Sequence, residues 1–337
     1  MTVLQMIISA VVIVAAAALF TNAVEILGNR LNLGQGAVGS ILAAVGTALP
    51  ETMIPFVAII AILLGGGSAA SSDIGVGAIL GAPFLLATLA MFVAGVSILA
   101  YRRRRQTDDD LVVDRETARR DMIFFLVCFG LGAGAGLVPL PFFVKVILAV
   151  GLVLAYGLHV RQTLKAGGDA IEDPPSSLTL WPSSSPAPTW AVATQVLGMV
   201  GIMGAGAHFF VTAVEHFSES AGIPAGLIAL VLAPLATELP EKFNSVIWLR
   251  GNKDTLALGN ITGAMVFQST IPVALGLAFT PWNLDSLTTF SVVLALIGGG
   301  YLYALLFLKR PIEGEYLLAG GALYAAFVVA ALVTILW

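Results

Sequence analysis

Long apolar runs separated by short polar stretches set the pattern of this chain. About ten of them approach or exceed the roughly 20 residues that a helix needs to cross a bilayer. They cover 3–27, 36–64, 74–101, 119–138, 141–164, 189–214, 223–249, 255–280, 287–308 and 315–337. The pattern predicts an all-α integral membrane protein of about ten transmembrane helices. The first run has neither the basic flank nor the small-residue cleavage site of a signal peptide, so it is expected to stay as a permanent span.

The positive charges give these spans an orientation. Arg30, the cluster Arg102, Arg103, Arg104, Arg105, Arg115, Arg119 and Arg120, then Arg161, Lys165, Arg250, Lys253, Lys309 and Arg310 all fall on one side of a ten-span chain. The opposite loops carry only Lys145. By the positive-inside rule the basic side is cytoplasmic and both termini lie outside, in what is expected to be the plasma (inner) membrane. One span more or fewer would scatter these charges over both faces. Composition agrees: 58% of the 337 residues are hydrophobic and 11% charged, too little polar surface to wrap a water-soluble core. The single Cys128 rules out an intrachain disulfide. The net charge of -4 points to no class of partner.

Two polar segments interrupt the spans. "RRRRQTDDD" at 102–110 is either a stop-transfer flank with solvated acids or a regulatory cation site on Asp108, Asp109 and Asp110, and the first is preferred. "GGDAIEDPPSSLTLWPSSSPAPT" at 167–189, rich in Pro, Ser and Gly, reads as an extended or disordered cytoplasmic linker. The chain thus divides into a first transmembrane repeat at 1–165, a linker at 166–188 and a second repeat at 189–337.

The halves resemble each other. Residues 20–51 laid on 210–241 without a gap share 11 of 32 positions, including Phe20 and Phe210, "AVE" at 23–25 and 213–215, Thr47 and Thr237, and two "LPE" triplets. Farther on, "GAILGA" (77–82) meets "GNITGA" (259–264) at an offset of 182. Five spans per half make the second copy enter from the opposite face, the inverted repeat of many secondary transporters, whose sites lie near the midplane between the copies.

Each copy puts a proline and a carboxylate inside oil, "TALPE" at 47–51 and "TELPE" at 237–241. Pro50 has no N–H, so the Gly46 carbonyl loses its helical partner and the kink loosens that of Thr47; Pro240 does the same for Ala236 and Thr237. Glu51 and Glu241 each cost about 2.5–3.5 kcal/mol or more at mid-bilayer unless they meet a cavity or partner. Carboxylates beside freed carbonyls make an all-oxygen cage suited to a hard cation such as Ca²⁺ or Na⁺. The plainer alternative, packed kinks with protonated or paired acids, fits one such motif better than two in register. The GxxxGA segments allow close helix approach but are weak signals alone.

"VGTALPE" with "GAILGAPFLL", and "LATELPEKFNS" with "DTLALGNITGAMVFQ", resemble the two alpha-repeats of the cation/calcium exchanger superfamily, the sodium/calcium exchanger membrane region, here at 44–86 and 234–268. The resemblance implies ten helices with the main loop after the fifth, Glu51 and Glu241 as central cation ligands, and the carbonyls of Thr47 and Thr237 completing the coordination. The chain departs from the family pattern where Ser and then Asn or Asp are usual. It has Ala82 and Leu86 in one copy, Ala264 and Gln268 in the other, so Gln268 is the one matching polar group. The motif Ser is Ala48 in the first copy and Glu238 in the second. Glu238 either pairs with Lys242, one turn along, or joins the cation site with Lys242 as a competing tethered charge.

His208 and His216 lie eight residues apart beside Glu215 but have no accompanying HExxH motif or Cys cluster, so a metal role is set aside. Glu25 and Glu215 are interfacial anchors or weak ion-recruiting groups. The expected function is secondary antiport of a divalent cation, Ca²⁺, against Na⁺ or H⁺ by alternating access, with the thinned ligand set favouring H⁺. Inorganic cations and the bilayer are the expected partners, with no nucleic acid or organic cofactor. A non-transporting exchanger fold kept as an assembly partner is the alternative, and an enzyme is not expected because no nucleophile with a base, and no metal motif, is present.

Overall fold

The computed structural model describes residues 2–30, 43–165, 177–181, 187–309 and 311–336; within its helices the side chains of 25, 28–30, 43–50, 164–165 and 239–244 are outside the description. The linker expected at 166–188 therefore lies mostly outside the described residues. The elements are helical: α1 (Thr2–Arg30), α2 (Ala43–Leu63), α3 (Ala69–Leu85), a π-helical turn (Leu86–Ala90), α4 (Met91–Tyr101) and a 3₁₀ turn (Arg102–Arg104). There follow α5 (Arg115–Gly134), α6 (Phe142–Lys165), α7 (Thr189–Ala221), α8 (Ala225–Arg250), α9 (Asp254–Gln268), α10 (Ile271–Phe279), α11 (Ser286–Phe307), α12 (Gly314–Leu317) and α13 (Ala319–Leu336).

Among the described residues, seven helical stretches are long and apolar enough to cross a membrane, and two shorter apolar helices accompany them, Glu51–Leu63 and Ala225–Glu238. α5 is not among them, because Arg115, Glu116, Arg119, Arg120 and Asp121 crowd its first turns. The helices follow the apolar runs, with ends set by local chemistry. Asp114 caps α5 by accepting from the N–H groups of Glu116 (3.1 Å) and Thr117 (3.2 Å). The hydrogen bond from the Thr117 hydroxyl holds its carboxyl below the ordinary range. α7 runs to Ala221, seven residues beyond the end expected at 214, and stops where Gly222 takes a left-handed conformation (φ 67°).

The third long helix of each half is irregular at the same place. In the first, the π turn begins at Leu86; in the second, α9 ends at Gln268 and α10 begins at Ile271, and 86 and 268 are related by the offset of 182. Both places share one feature. Thr88 donates its hydroxyl to the Phe84 carbonyl (2.5 Å), while Thr270 donates to Val266 (3.0 Å) and Phe267 (2.9 Å), so side chains occupy acceptors of the helical ladder. Pro272, at the start of α10, brings no N–H to that ladder.

Three apolar clusters result among the described residues. One joins α1, α2 and α7 to the first parts of α3 and α8; a larger one joins the rest of α3 with α4, α5, α6, α8 and α9 to α13; a small one packs the end of α1 on the start of α7 and on Leu178. α1 lies along α7, and α3 lies along α8. This second contact needs glycine: a Cβ on Gly77 would overlap the carbonyl oxygen of Gly226, and one on Gly81 that of Leu230. The Leu230 oxygen is available because Pro234, four residues on, has no N–H to offer it.

The arginine run is not wholly solvated. Arg105 is buried (6% exposed), and its guanidinium holds Asp254 through two 2.8 Å bonds. It also donates to the carbonyls of Leu249 (2.5 Å), Asp108 (3.0 Å) and Asp110 (2.9 Å). Asp110 bridges Glu313 as well, so one side chain pins the loop after α4 to the start of α9 and to the segment before α12. Arg102, Arg103, Arg104, Asp108 and Asp110 remain exposed, as a charged flank requires. Lys145, the exception to the charge asymmetry, donates to the Pro281 carbonyl (2.5 Å) and so braces a loop end.

Two outcomes follow for stability. Gly77→Ala and Gly81→Ala should each lower thermal stability by an overpacking cost of about 1–3 kcal/mol, whereas Gly130→Ala, whose Cβ meets nothing within 4 Å, should be neutral or slightly stabilising in the same melting assay. Arg105→Met should cost about 3–5 kcal/mol by stranding Asp254, with part restored by adding Asp254→Asn; an unchanged melting temperature would remove Arg105 as a pin.

Candidate functional site

The site expected from the twin motifs centres on α2, α8 and the α9–α10 break. The described parts of these helices touch one another: α2 packs on α8, α9 and α10, and α8 on α9. Glu51 lies on α2 and is 6% exposed, inside the part of the helix whose side chains are described. On α8, Thr237 is 3% and Glu238 1% exposed, and Gln268, the last residue of α9, is 2% exposed. All four are buried polar groups in helices of apolar surroundings.

The prolines act without ending either helix. α2 stays helical through Pro50 and α8 through Pro240, so the freed carbonyls arise within continuous helices rather than at gaps. Pro55 adds to the expectation, because its missing N–H frees the carbonyl of Glu51 itself. The Thr237 hydroxyl is turned back to the Ala233 carbonyl (3.0 Å), which aims its hydrogen along its own helix. The side chains of Thr47, Glu241 and Lys242 lie outside the described residues, and with them the choice between a Glu238–Lys242 pair and a cation role for Glu238. Ala82 and Ala264 stand on α3 and α9 as expected and bring no side-chain oxygen; Leu86 opens the π turn.

Several polar residues at the break were not among the expected ones. Ser269 and Thr270 are fully buried beside Gln268, and Thr88 is fully buried in the matching π turn. The recurrence of Thr at 88 and 270, at the offset already set by the GxxxGA segments, was readable in the sequence. Ser269 donates to the Val266 carbonyl (2.8 Å). These hydroxyls fix the irregular backbone while leaving their oxygens able to accept.

A second buried polar group lies where α5, α6 and α9 meet. Asp121, 4% exposed, accepts from the Thr262 hydroxyl (2.9 Å) and lies 3.4 Å from His159 Nε2. It went unnoticed because its partners are 38 and 141 residues away along the chain. The acid inside a span was visible; its neighbours were not.

Glu215 is tied to the neighbouring turn. Its carboxylate accepts from the hydroxyls of Ser68 (2.8 Å) and Ser71 (2.6 Å), which form the capping box of α3, and so ties the end of α7 to the α2–α3 turn. The Glu25 side chain lies outside the described residues. His208 is exposed, and His216, 3.9 Å from Glu219, is mostly exposed, so neither sits in a buried ligand set. Among the described residues no group of three or more His, Cys, Asp or Glu side chains could hold a metal ion.

Comparison with known proteins covers both halves. A family model described as "Sodium/calcium exchanger protein" matches residues 1–162 and 190–336. The chain is 33% identical over 105 residues to "Putative antiporter CaxA" of Alkalimonas amylolytica, a match that spans 30% of this chain and 32% of that one. The fold is similar to the crystal structure of the H⁺/Ca²⁺ exchanger CAX (TM-score 0.71, 19% identity, 97% of this chain and 81% of that one). It is also similar to the sodium-calcium exchanger NCX_Mj (TM-score 0.59, 18% identity, 98% and 99%). The matched residues take in the helices on both sides of the linker, with both "LPE" motifs, and the chain belongs to the sodium/calcium exchanger protein family.

Proposed function

We propose that the protein is a ten-span antiporter that exchanges Ca²⁺ for H⁺ across the plasma membrane by alternating access, with Glu51 and Glu241 as the carboxylates of one cation site. The observation that carries this is the burial of Glu51 (6% exposed) on a membrane helix beside prolines that free backbone carbonyls, in a motif repeated at 237–241. A buried carboxylate in hydrocarbon is held there by a function, because replacing it with an apolar residue would remove its cost. The matched irregularities at 86–90 and 268–271 support two related halves meeting around this site.

Carbonyls of Thr47, Thr237 and Glu51, the carboxylates, and Gln268 supply oxygens of the kind Ca²⁺ takes, six to eight in number. Glu238, buried one residue from Thr237, is a further candidate ligand. Ala82, Leu86 and Ala264 remove neutral oxygens that several Na⁺ ions would need, while a carboxylate released by Ca²⁺ can take a proton. Exchange of one Ca²⁺ for protons on the same two carboxylates needs no second site. Alternating access then means that the site opens to one face at a time as the two halves exchange roles. The relatives named above as an H⁺/Ca²⁺ exchanger and a sodium-calcium exchanger bracket the two coupling ions.

Proteoliposomes should take up radioactive Ca²⁺ when a pH gradient is imposed. Uptake driven by a Na⁺ gradient at fixed pH, with no response to a pH gradient, would contradict proton coupling, and no uptake under either gradient would favour the non-transporting alternative. In the same assay Glu51→Gln and Glu241→Gln should each lower flux roughly 30-fold or more, the counterpart of about 2 kcal/mol or more for losing one member of a buried charge pair. Thermal stability should be unchanged or higher in both, since an amide is easier to bury. Near-normal flux in either variant would make the motif a packing kink.

A further inference from the structure

We propose that the crevice between the first turns of α5 and the end of α6 binds the phosphate headgroup of an anionic phospholipid. A cavity of about 380 Å³ opens there, lined by Arg119, Arg120, His159 and Gln162, with Ile123 and Phe124 as its apolar wall. The chemistry of the lining is that of a phosphate diester site. Two guanidinium groups supply forked donors, and Gln162 supplies an amide. Arg120 donates Nη2 to the Thr163 hydroxyl (3.1 Å), while its Nε, 4.0 Å from Asp121 Oδ1, is shut off from solvent without a hydrogen-bond acceptor. Such a donor needs a partner, and an anion in the cavity provides one. Glu116 also lines the cavity and offsets one positive charge, while Asp121, outside the lining, accepts from Thr262 at Oδ2 and has Oδ1 3.4 Å from His159 Nε2 and 4.0 Å from Arg120 Nε.

The surroundings select a lipid rather than a free ion. Although α5 and α6 follow each other in the chain, α5 packs more on α9 and α11, and α6 more on α10, than the two pack together. A seam is left between them. Ile123, which lines the cavity, begins an exposed stripe that continues one turn at a time through Val127 and Leu131, and Leu154 and Leu158 are exposed on α6. A cationic head above an apolar shaft matches one phospholipid, head and chain together. Basic pockets between helices at the cytoplasmic face bind such headgroups. Placement in the inner leaflet rests on the orientation given by the positive charges; binding does not depend on which ion is transported. His159, which lines the crevice, lies 3.4 Å from Asp121, and Asp121 accepts from Thr262 on α9, the helix that ends at Gln268, so a bound lipid bears on the helix of the proposed cation site.

The test is thermal unfolding of the purified full chain in micelles doped with phosphatidylglycerol or with phosphatidylcholine, or supplied with inorganic phosphate. The wild type and an Arg102→Gln/Arg103→Gln control, which removes the same charge from exposed sites, should melt a few degrees higher with phosphatidylglycerol than with phosphatidylcholine. That rise should vanish in Arg119→Gln/Arg120→Gln. If this pair does not fold, Arg119→Lys/Arg120→Lys serves instead and should show a weakened rise, having charge but no fork. No rise in the wild type, an undiminished rise in the Arg119/Arg120 variants, or an equal loss in the control would overturn the site. An equal rise with inorganic phosphate alone would overturn the lipid as its occupant. Flux is not read, so failure here leaves the Ca²⁺ proposal standing, and the reverse.

Discussion

A carboxylate buried inside a bundle of apolar helices is the constraint around which the rest of this structure is arranged. Glu51 meets it on α2, and Glu238 on α8 meets it too, each nearly sealed from solvent. The desolvation cost, about 2.5–3.5 kcal/mol at the least, must be returned by partners that only other helices can bring. Those helices have to come close, which explains the glycines. Gly77 and Gly81 let α3 touch the backbone of α8, and the Leu230 carbonyl that Gly81 meets is one that Pro234 has freed. Proline and glycine thus act as a pair across the contact: one exposes an oxygen, the other admits its approach.

Such a site also needs a frame that does not yield. At the basic end of the molecule Arg105 ties the loop after α4, through Asp110, to Leu249 in the last turn of α8 and to Asp254 at the start of α9, and at the other end Glu215 joins α7 to the cap of α3. Between them the long helices are irregular at 86–90 and 268–271, where hydroxyls rather than amides satisfy the backbone. Rigid ends with softened middles give a bundle two places where local rearrangement is cheap. Both lie on the helices that carry the GxxxGA segments.

The sequence made the helices legible because a bilayer imposes one length and one polarity on a span, and most apolar runs met described helices, though α7 runs seven residues past its run and the run 255–280 is broken at 268–271. The twin motifs were legible because Thr, Pro and Glu in register are improbable in oil. Other features were hidden for definite physical reasons. Arg105 looks like its neighbours in "RRRR", and only the fold reveals that its side chain alone turns inward to Asp254. The π turn at Leu86 has no residue signature beyond Thr88, whose partner Phe84 lies on the same helix. Asp121, His159 and Thr262 come from three helices, and no local pattern connects them. Pro55 and Pro234 were visible, yet the meaning of each freed carbonyl depends on what faces it.

Whether the two motif carboxylates face one site is open to a direct structural test by metal bridging. In a chain carrying Cys128→Ala, the substitutions Glu51→Cys and Glu241→Cys place one thiol at each motif, and Cd²⁺ prefers paired thiolates. Cd²⁺ should raise the melting temperature of the double variant and leave either single variant unaffected. An identical response in the single and double variants would show that the two positions do not meet.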